Sequence, residues 1–205
     1  MYPIKVIHPP MEPAVSVVVP YAEGKPFNPI YICANDEVLI AKGGESIGHA
    51  RIEAARQAKN EWLIFMDADA IYPPDYIPNI KYYIGTYGFP IMATKRKGGF
   101  GDLFSQVLEH GLIARKNVFL ERTKNYPEGV WWRGGRTDVV GYFRDAVKIP
   151  VEYYHSFTTD EKAGLSALLG LLIISIALLK RHSSEIESTE AVSYTHLTLP
   201  TICSV

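Results

Sequence analysis

Cysteine is scarce in this chain: Cys33 lies in an apolar run and Cys203 near the end. Two thiols so placed have neither the spacing of a metal-ligand set nor the number for a disulfide framework, which predicts a reducing, cytoplasmic setting. Charge imbalance is missing as well. A formal net charge of -1, with 21% charged residues, excludes a broad basic face for nucleic acid and the acidic composition of a disordered chain. Residues 1–13 contain Lys5 and four prolines but no continuous apolar stretch, so they do not read as a signal peptide. Internal repeats and low-complexity tracts are absent too.

What the chain does have is apolar bulk. Over 205 residues, 47% hydrophobic and 12% aromatic content suffices for one sizeable core but not for two ordinary domains with linkers. One catalytic domain plus an appendage is expected, with residues 1–13 as an N-terminal extension and 14–158 as the domain. Residues 163–179 (AGLSALLGLLIISIALL) form an uncharged run followed by Lys180, Arg181 and His182. Because the run is apolar on every face, it reads as a membrane helix, with a buried core helix as the alternative. Residues 180–191 then form a tail. Residues 192–201 (VSYTHLTLPT) resemble one translated frame of a sequencing-library adapter. Residues 192–205 are therefore set aside as non-native, and the natural chain is expected to continue past Ala191.

The rest alternates between strand and helix patterns. Residues 14–20 (AVSVVVP) make a β-branched run closed by proline, as in a buried parallel strand. Residues 30–34 and 38–41 predict a second and a third strand, 46–59 a helix capped by Ser46, and 62–66 (WLIFM) another buried strand. Beyond these, helices are expected at 76–83 and 102–114, a strand at 90–94, and loop with short strand at 116–135. A short helix at 137–146 and a strand at 147–154 complete the reading. The fold class is α/β with a mostly parallel sheet, in which ligands sit at the carboxyl ends of strands.

Asp67 and Asp69 stand at such an end, directly after WLIFM. Two apart on extended chain, both carboxylates can face one cation. Mg²⁺ or Mn²⁺ takes oxygen ligands and bridges protein carboxylates to a diphosphate. Aspartates in this position also cap turns.

Three stretches carry a more specific resemblance: SVVVP at 16–20, GESIGHARIEAARQAKNEWLIFMDADA at 44–70, and GRTDVVGYFRDAVKIPVEYYH at 135–155. Together they resemble the family 2 glycosyltransferases, over about residues 15–155. The resemblance implies the GT-A (Rossmann-like) fold and transfer of a sugar from a UDP- or GDP-sugar with Mg²⁺ or Mn²⁺. It implies metal ligation by Asp67 and Asp69, with Asp69 the direct ligand, and by His155, otherwise a diphosphate contact. Donor contacts fall at Pro20, Tyr21, Asn35, Asp36, Arg51 and Asp67. Asp138 becomes the base that takes the acceptor's proton, giving inversion. Trp131, Trp132 and Arg133 approach the acceptor, a glycan or a polyprenyl-phosphate-type lipid. Two departures stand out: the second strand ends in Asn35, Asp36 and Glu37 without paired acids and a Gly-Ser turn, and Thr137 replaces an acid before Asp138.

Plainer readings exist for several of these residues. Arg51 is otherwise a solvated helical arginine, Asp138 a residue of a helix N-terminus, His155 a structural histidine, and the tryptophans ordinary packing. Lys95, Arg96 and Lys97 read as a solvated basic loop, with anionic lipid or an acceptor phosphate as the alternative. A haloacid-dehalogenase-like phosphohydrolase also places Asp-x-Asp after a buried strand, and Thr94 fits its pattern loosely. Its motif, however, belongs to a first strand. A sugar nucleotidyltransferase needs a glycine-rich basic loop where this chain has PYAEGKPF. A degenerate, membrane-tethered binding module is the rival outside enzymes.

The membrane helix implies membrane lipid as a partner, with the catalytic domain facing the cytoplasm. Lys180 and Arg181 would place the far end of the helix there too. A re-entrant helix or further helices would reconcile the two.

Overall fold

The computed structural model describes residues 1–42, 46–98, 111–126, 139–156 and 159–195, in two compact units, Met1–Phe157 and Thr158–Val205. The first unit begins with strand β1 (Ile4–His8), then β2 (Val15–Pro20), β3 (Ile30–Cys33) and β4 (Glu37–Ala41). Helix α1 (Ile47–Gln57), β5 (Trp62–Phe65), α2 (Tyr76–Tyr87), β6 (Ile91–Lys97) and β7 (Leu112–Arg115) follow. Helix α3 (Lys116–Arg122), a 3-10 turn at Val140–Phe143 and β8 (Val147–Tyr154) complete it.

Six strands form one sheet in the order β4-β2-β5-β7-β6-β8. β2 pairs in parallel with β4 and β5, and β6 with β8, while β7 runs antiparallel to both its neighbours. The period-2 alternation of strand side chains divides the core between the two faces. Val15, Val17, Val19, Ile64 and Met66 pack with Ile77, Ile80 and Ile84 of α2. Val18, Leu63 and Phe65 pack with Ala50, Ile52, Ala54 and Ala55 of α1 and with Phe119 of α3. A helix layer on each face is why these strands read as unbroken apolar runs. At the start of α1 the Ser46 hydroxyl accepts from the His49 amide at 3.2 Å. α2 ends at Gly88, whose φ of 61° is left-handed and whose amide caps Ile84.

Several expectations are corrected. β3 pairs with β1 in a separate two-stranded sheet, so the parallel neighbours of β2 are β4 and β5. β1 lies within residues expected to be mere extension. Its side chains are largely exposed, so no burial pattern marks it in sequence. Leu112–Arg115, expected as the end of a helix, is strand, because LIAR lies buried between β5 and β6 and completes their ladders; a short apolar run alone does not separate the two states. Lys116–Arg122, expected as loop, is helix. Phe119 is its only fully buried residue, and one such position leaves no period to read.

The described part of the second unit is one helix, α4 (Thr159–Thr195), of 37 residues, about 55 Å at 1.5 Å per residue. Gly164–Arg181 has a mean hydropathy of 1.8 with none of it buried, and its leucines and isoleucines point outward on every side. The window is about 27 Å long, close to the hydrocarbon thickness of a bilayer.

Candidate metal centre at the carboxyl edge of the sheet

Parallel strands β4, β2 and β5 end at one edge. Pro20 is opposite Ala41, and the Tyr21 amide donates to the Ala41 carbonyl at 2.9 Å. The Met66 amide donates to the Val18 carbonyl at 3.0 Å, which carries Asp67 to the same level. β5 is too short to include the aspartates, so other groups shape the turn. Asn28 is one: its side-chain amide donates to the carbonyls of Asp69 (2.8 Å) and Ala70 (3.3 Å), and its backbone amide to that of Ala68 (2.7 Å). Tyr72 is another, its phenol oxygen accepting from the Asp67 amide at 2.8 Å. Tyr72 is fully buried against Tyr76 and Tyr153, and burial pushes its phenol well above the usual range.

His155 reaches the site from β8. Ile71 and Tyr154 exchange backbone hydrogen bonds of 2.8 and 2.9 Å, and the His155 amide donates to the Lys97 carbonyl at 2.9 Å. Arg96, only 5% exposed, donates to the carbonyls of His155 (3.3 Å) and Ser156 (2.8 Å). The basic run Lys95, Arg96 and Lys97 is thus strand rather than solvated loop. Arg96 fastens the His155 segment, while Lys95 and Lys97 flank Glu152 at 3.7 and 3.6 Å. The glycine after them, Gly98, has φ 86°, and a Cβ there would lie 2.8 Å from the His155 carbonyl.

Asp67, Asp69 and His155 each offer one ligand atom, all within 4.8 Å of one another. Arg51, 2% exposed, pairs with Asp67 Oδ1 at 2.7 Å. That ion pair orients the Asp67 carboxylate. His155 Nε2 faces Asp69 Oδ1 at 3.1 Å, and Nδ1 faces the Ser156 carbonyl at 2.8 Å. A carbonyl only accepts, so Nδ1 carries a proton; a carboxylate partner calls for a second on Nε2. Burial alone would push the imidazole down, but the hydrogen bonds to Asp69 and Ser156 and the charges of Asp69 and Asp67 outweigh it and raise it above 6.5. The same contact, against an opposing effect of burial, holds Asp69 below 3.8.

The linkage has a definite sign. In the metal-free chain the raised imidazole stabilises below its unfolded value and loses that contribution as pH rises through its folded value; the depressed Asp69 stabilises above its unfolded value and fails on acidification. A cation on Nε2 must displace the proton. Mn²⁺ affinity, followed by the electron paramagnetic resonance of free Mn²⁺, is expected to strengthen as pH rises through the His155 value and to flatten above it. In a His155→Gln variant that slope should vanish.

The donor set suits a divalent ion of the Mn²⁺ or Mg²⁺ kind. Opposite ligands on such an ion stand about 4.2 Å apart, so small side-chain rotations close the group.

Two donor-contact expectations are corrected. Asn35 and Asp36 follow β3, but they lie where β2 and β4 begin, with Ser16 opposite Glu37. That is the other edge of the sheet, roughly 15 Å from Asp67 at about 3.3 Å per residue. Both are engaged internally: Asp36 accepts from the amides of Val15 (3.1 Å) and Cys33 (2.9 Å), and Asn35 bonds both backbone groups of Met11 at 3.0 Å. The strand end on the ligand side is that of β4, at Ala41 and Lys42. Lys42 lies 5.3 Å from the Tyr2 ring, and Tyr2 packs with Tyr21 and Phe27. Pro20 and Tyr21 lie on the Asp67 edge. Thr94 is buried and bonded to Tyr76 (2.8 Å) and the Gly111 carbonyl (3.2 Å), which removes the loose phosphohydrolase match. Asp138, Trp131, Trp132 and Arg133 lie outside the described residues.

Comparison with known proteins gives solved structures and a family profile similar to this chain. Solved structures similar to this chain include TarS 1–349 of S. aureus in complex with UDP-GlcNAc, at 14% identity and TM-score 0.47 over 71% of this chain and 59% of that one. The same protein with UDP gives 16% identity and TM-score 0.46 over 72% and 62%. Glucosyl-3-phosphoglycerate synthase of Mycobacterium tuberculosis, with Mn²⁺, UDP and glucosyl-3-phosphoglycerate, gives 12% identity and TM-score 0.42 over 74% and 75%. This chain therefore covers about three fifths of the TarS 1–349 structures. The profile of glycosyl transferase family 2 matches residues 37–148, from the first residue of β4 into β8, a span that holds Arg51, Asp67 and Asp69. With more than half of its length so matched, the chain belongs to glycosyl transferase family 2.

Proposed function

We propose that this protein transfers a sugar from a UDP- or GDP-sugar to a glycan hydroxyl or polyprenyl-phosphate-type acceptor at the membrane, with inversion at the anomeric carbon. The observation that carries the reading is the convergence of Asp67, Asp69 and His155 within 4.8 Å at the carboxyl edge of a mostly parallel sheet, where α/β folds bind ligands. When bound, Mn²⁺ or Mg²⁺ supplies Lewis-acid neutralisation of the diphosphate leaving group.

The chain's own residues do the rest. Asp69 and His155 hold the cation, and Asp67, oriented by Arg51, completes the group or contacts the donor. Pro20 and Tyr21 border the donor on the β2 side. Asp138 is proposed as the base on the sequence resemblance. It takes the proton from the acceptor hydroxyl as that oxygen bonds to the anomeric carbon and the bond to the diphosphate oxygen breaks. Trp131, Trp132 and Arg133 are proposed to flank the acceptor. α4 supports a bilayer anchor, and a catalytic unit facing the cytoplasm would meet nucleotide sugars where they are made.

The test uses the full chain in lipid nanodiscs, with UDP- and GDP-sugars and Mn²⁺. Transfer with the anomeric configuration inverted in the product, lost in Asp138→Asn, is the expected result. A retained configuration, or phosphate release from phosphomonoesters with no sugar transfer, would overturn the proposal.

A further inference from the structure

The sequence from Tyr76 to Pro90 has one charged side chain, Lys81, and that one is buried beneath α2. The outward face of this helix is therefore uncharged. Tyr82 is 59% exposed, Tyr87 55% and Phe89 39%, and Tyr83 is partly exposed between them. Their rings form a continuous chain: Tyr82 to Tyr83 at 5.6 Å, Tyr83 stacked on Tyr87 at 5.7 Å, and Tyr87 stacked on Phe89 at 5.9 Å. Gly85 and Thr86 fill the exposed positions among them. A soluble helix normally turns charge toward water, and an aromatic face of this kind marks a contact surface.

We infer that this aromatic face of α2 seats the catalytic unit on the lipid interface. Tyrosine suits the headgroup level, where the ring meets acyl chains and the hydroxyl meets water. The nearest carboxylate on this helix is Asp75 at its start, bonded to Asn79 at 2.9 Å, and the segment from Tyr76 to Pro90 contributes none. The occupant is argued from the chain itself: the apolar window of α4 begins at Gly164, seven residues after the catalytic unit ends at Phe157. Such a tether keeps the unit within reach of the bilayer at high effective concentration. Weak partition by four rings then suffices for a lasting contact. This rests on the reading of α4 as a membrane anchor, and it goes further by naming the surface that meets the lipid.

The experiment places an environment-sensitive NBD fluorophore on Tyr87→Cys, and separately on Tyr82→Cys, in a full chain carrying Cys203→Ser. The remaining Cys33 is buried. Labelled chains are incorporated into nanodiscs of phosphatidylcholine and phosphatidylglycerol, with and without spin-labelled phosphatidylcholine. Glu53→Cys on the exposed, charged side of α1 is the control. Expected is quenching at positions 87 and 82 at least twofold stronger than at 53. Incorporation without quenching above the control overturns the surface while leaving the anchor standing. A blue-shifted but unquenched signal would assign the face to a protein partner, such as a second copy, and also overturn it. Failure of the chain to incorporate at all removes both readings.

Discussion

Asp69→Asn is expected to lower the rate of sugar transfer about a thousandfold, equivalent to about 4 kcal/mol of transition-state stabilisation. The amide keeps the size of the carboxylate and an oxygen for His155, but it loses the charge that holds a divalent cation. Asp69 is the more exposed of the two aspartates, its side chain 56% accessible, and it sits in a turn already fixed by Asn28 and the Ile71–Tyr154 bridge. The fold should therefore survive, and the denaturation midpoint of the variant should fall only by what the charged contact with His155 contributes. Steady-state rates at saturating donor over a Mn²⁺ titration check this. A loss that excess Mn²⁺ partly restores identifies weakened metal binding; unchanged rates would remove Asp69 from the metal centre.

The second large effect is on stability. Lys81 Nζ lies 2.6 Å from Asp36 Oδ1, with both side chains fully inaccessible. It also donates to the Met11 carbonyl at 2.6 Å and to Asn35 Oδ1 at 3.4 Å. This junction fastens α2 to the start of β2 and to the N-terminal segment. Removing one partner leaves a buried, uncompensated charge, so Lys81→Met should cost about 3–5 kcal/mol, against the 5–15 kcal/mol that folds a typical domain. Joining Asp36→Asn to it removes the stranded charge and should recover a good part of the loss. Urea unfolding of the three proteins measures both effects. Additive losses in the double variant would contradict the account.

The strongest parts of this fold were legible because burial writes them into sequence. β2 and β5 are central, covered on both faces, and read as VSVVVP and WLIF; the Asp-x-Asp follows from the end of the second. Helix α1 was marked by its Ser46 cap. The parts that escaped are set by partners distant in sequence. Nothing local shows that β3 pairs with β1 while β4 lies beside β2, so the edge at which Asn35 and Asp36 stand is not readable from the sequence. Arg96 reads as surface charge because nothing local shows that its guanidinium closes over the backbone of His155 and Ser156. Asn28 and Tyr72 carry no motif at all; only the folded turn reveals that one pins the carbonyls of Asp69 and Ala70 and the other the amide of Asp67. Position after a strand is a usable signal for two residues: Lys42 directly follows β4, and His155 directly follows the eight-residue β8.

The most direct test is calorimetric titration of UDP and of GDP into the full chain in nanodiscs at pH 8, with and without Mn²⁺, beside Asp69→Asn. The account predicts binding of one nucleotide that requires Mn²⁺ and is lost in the variant. Nucleotide binding that is equally strong without metal and in Asp69→Asn would contradict a metal-held diphosphate at Asp67, Asp69 and His155.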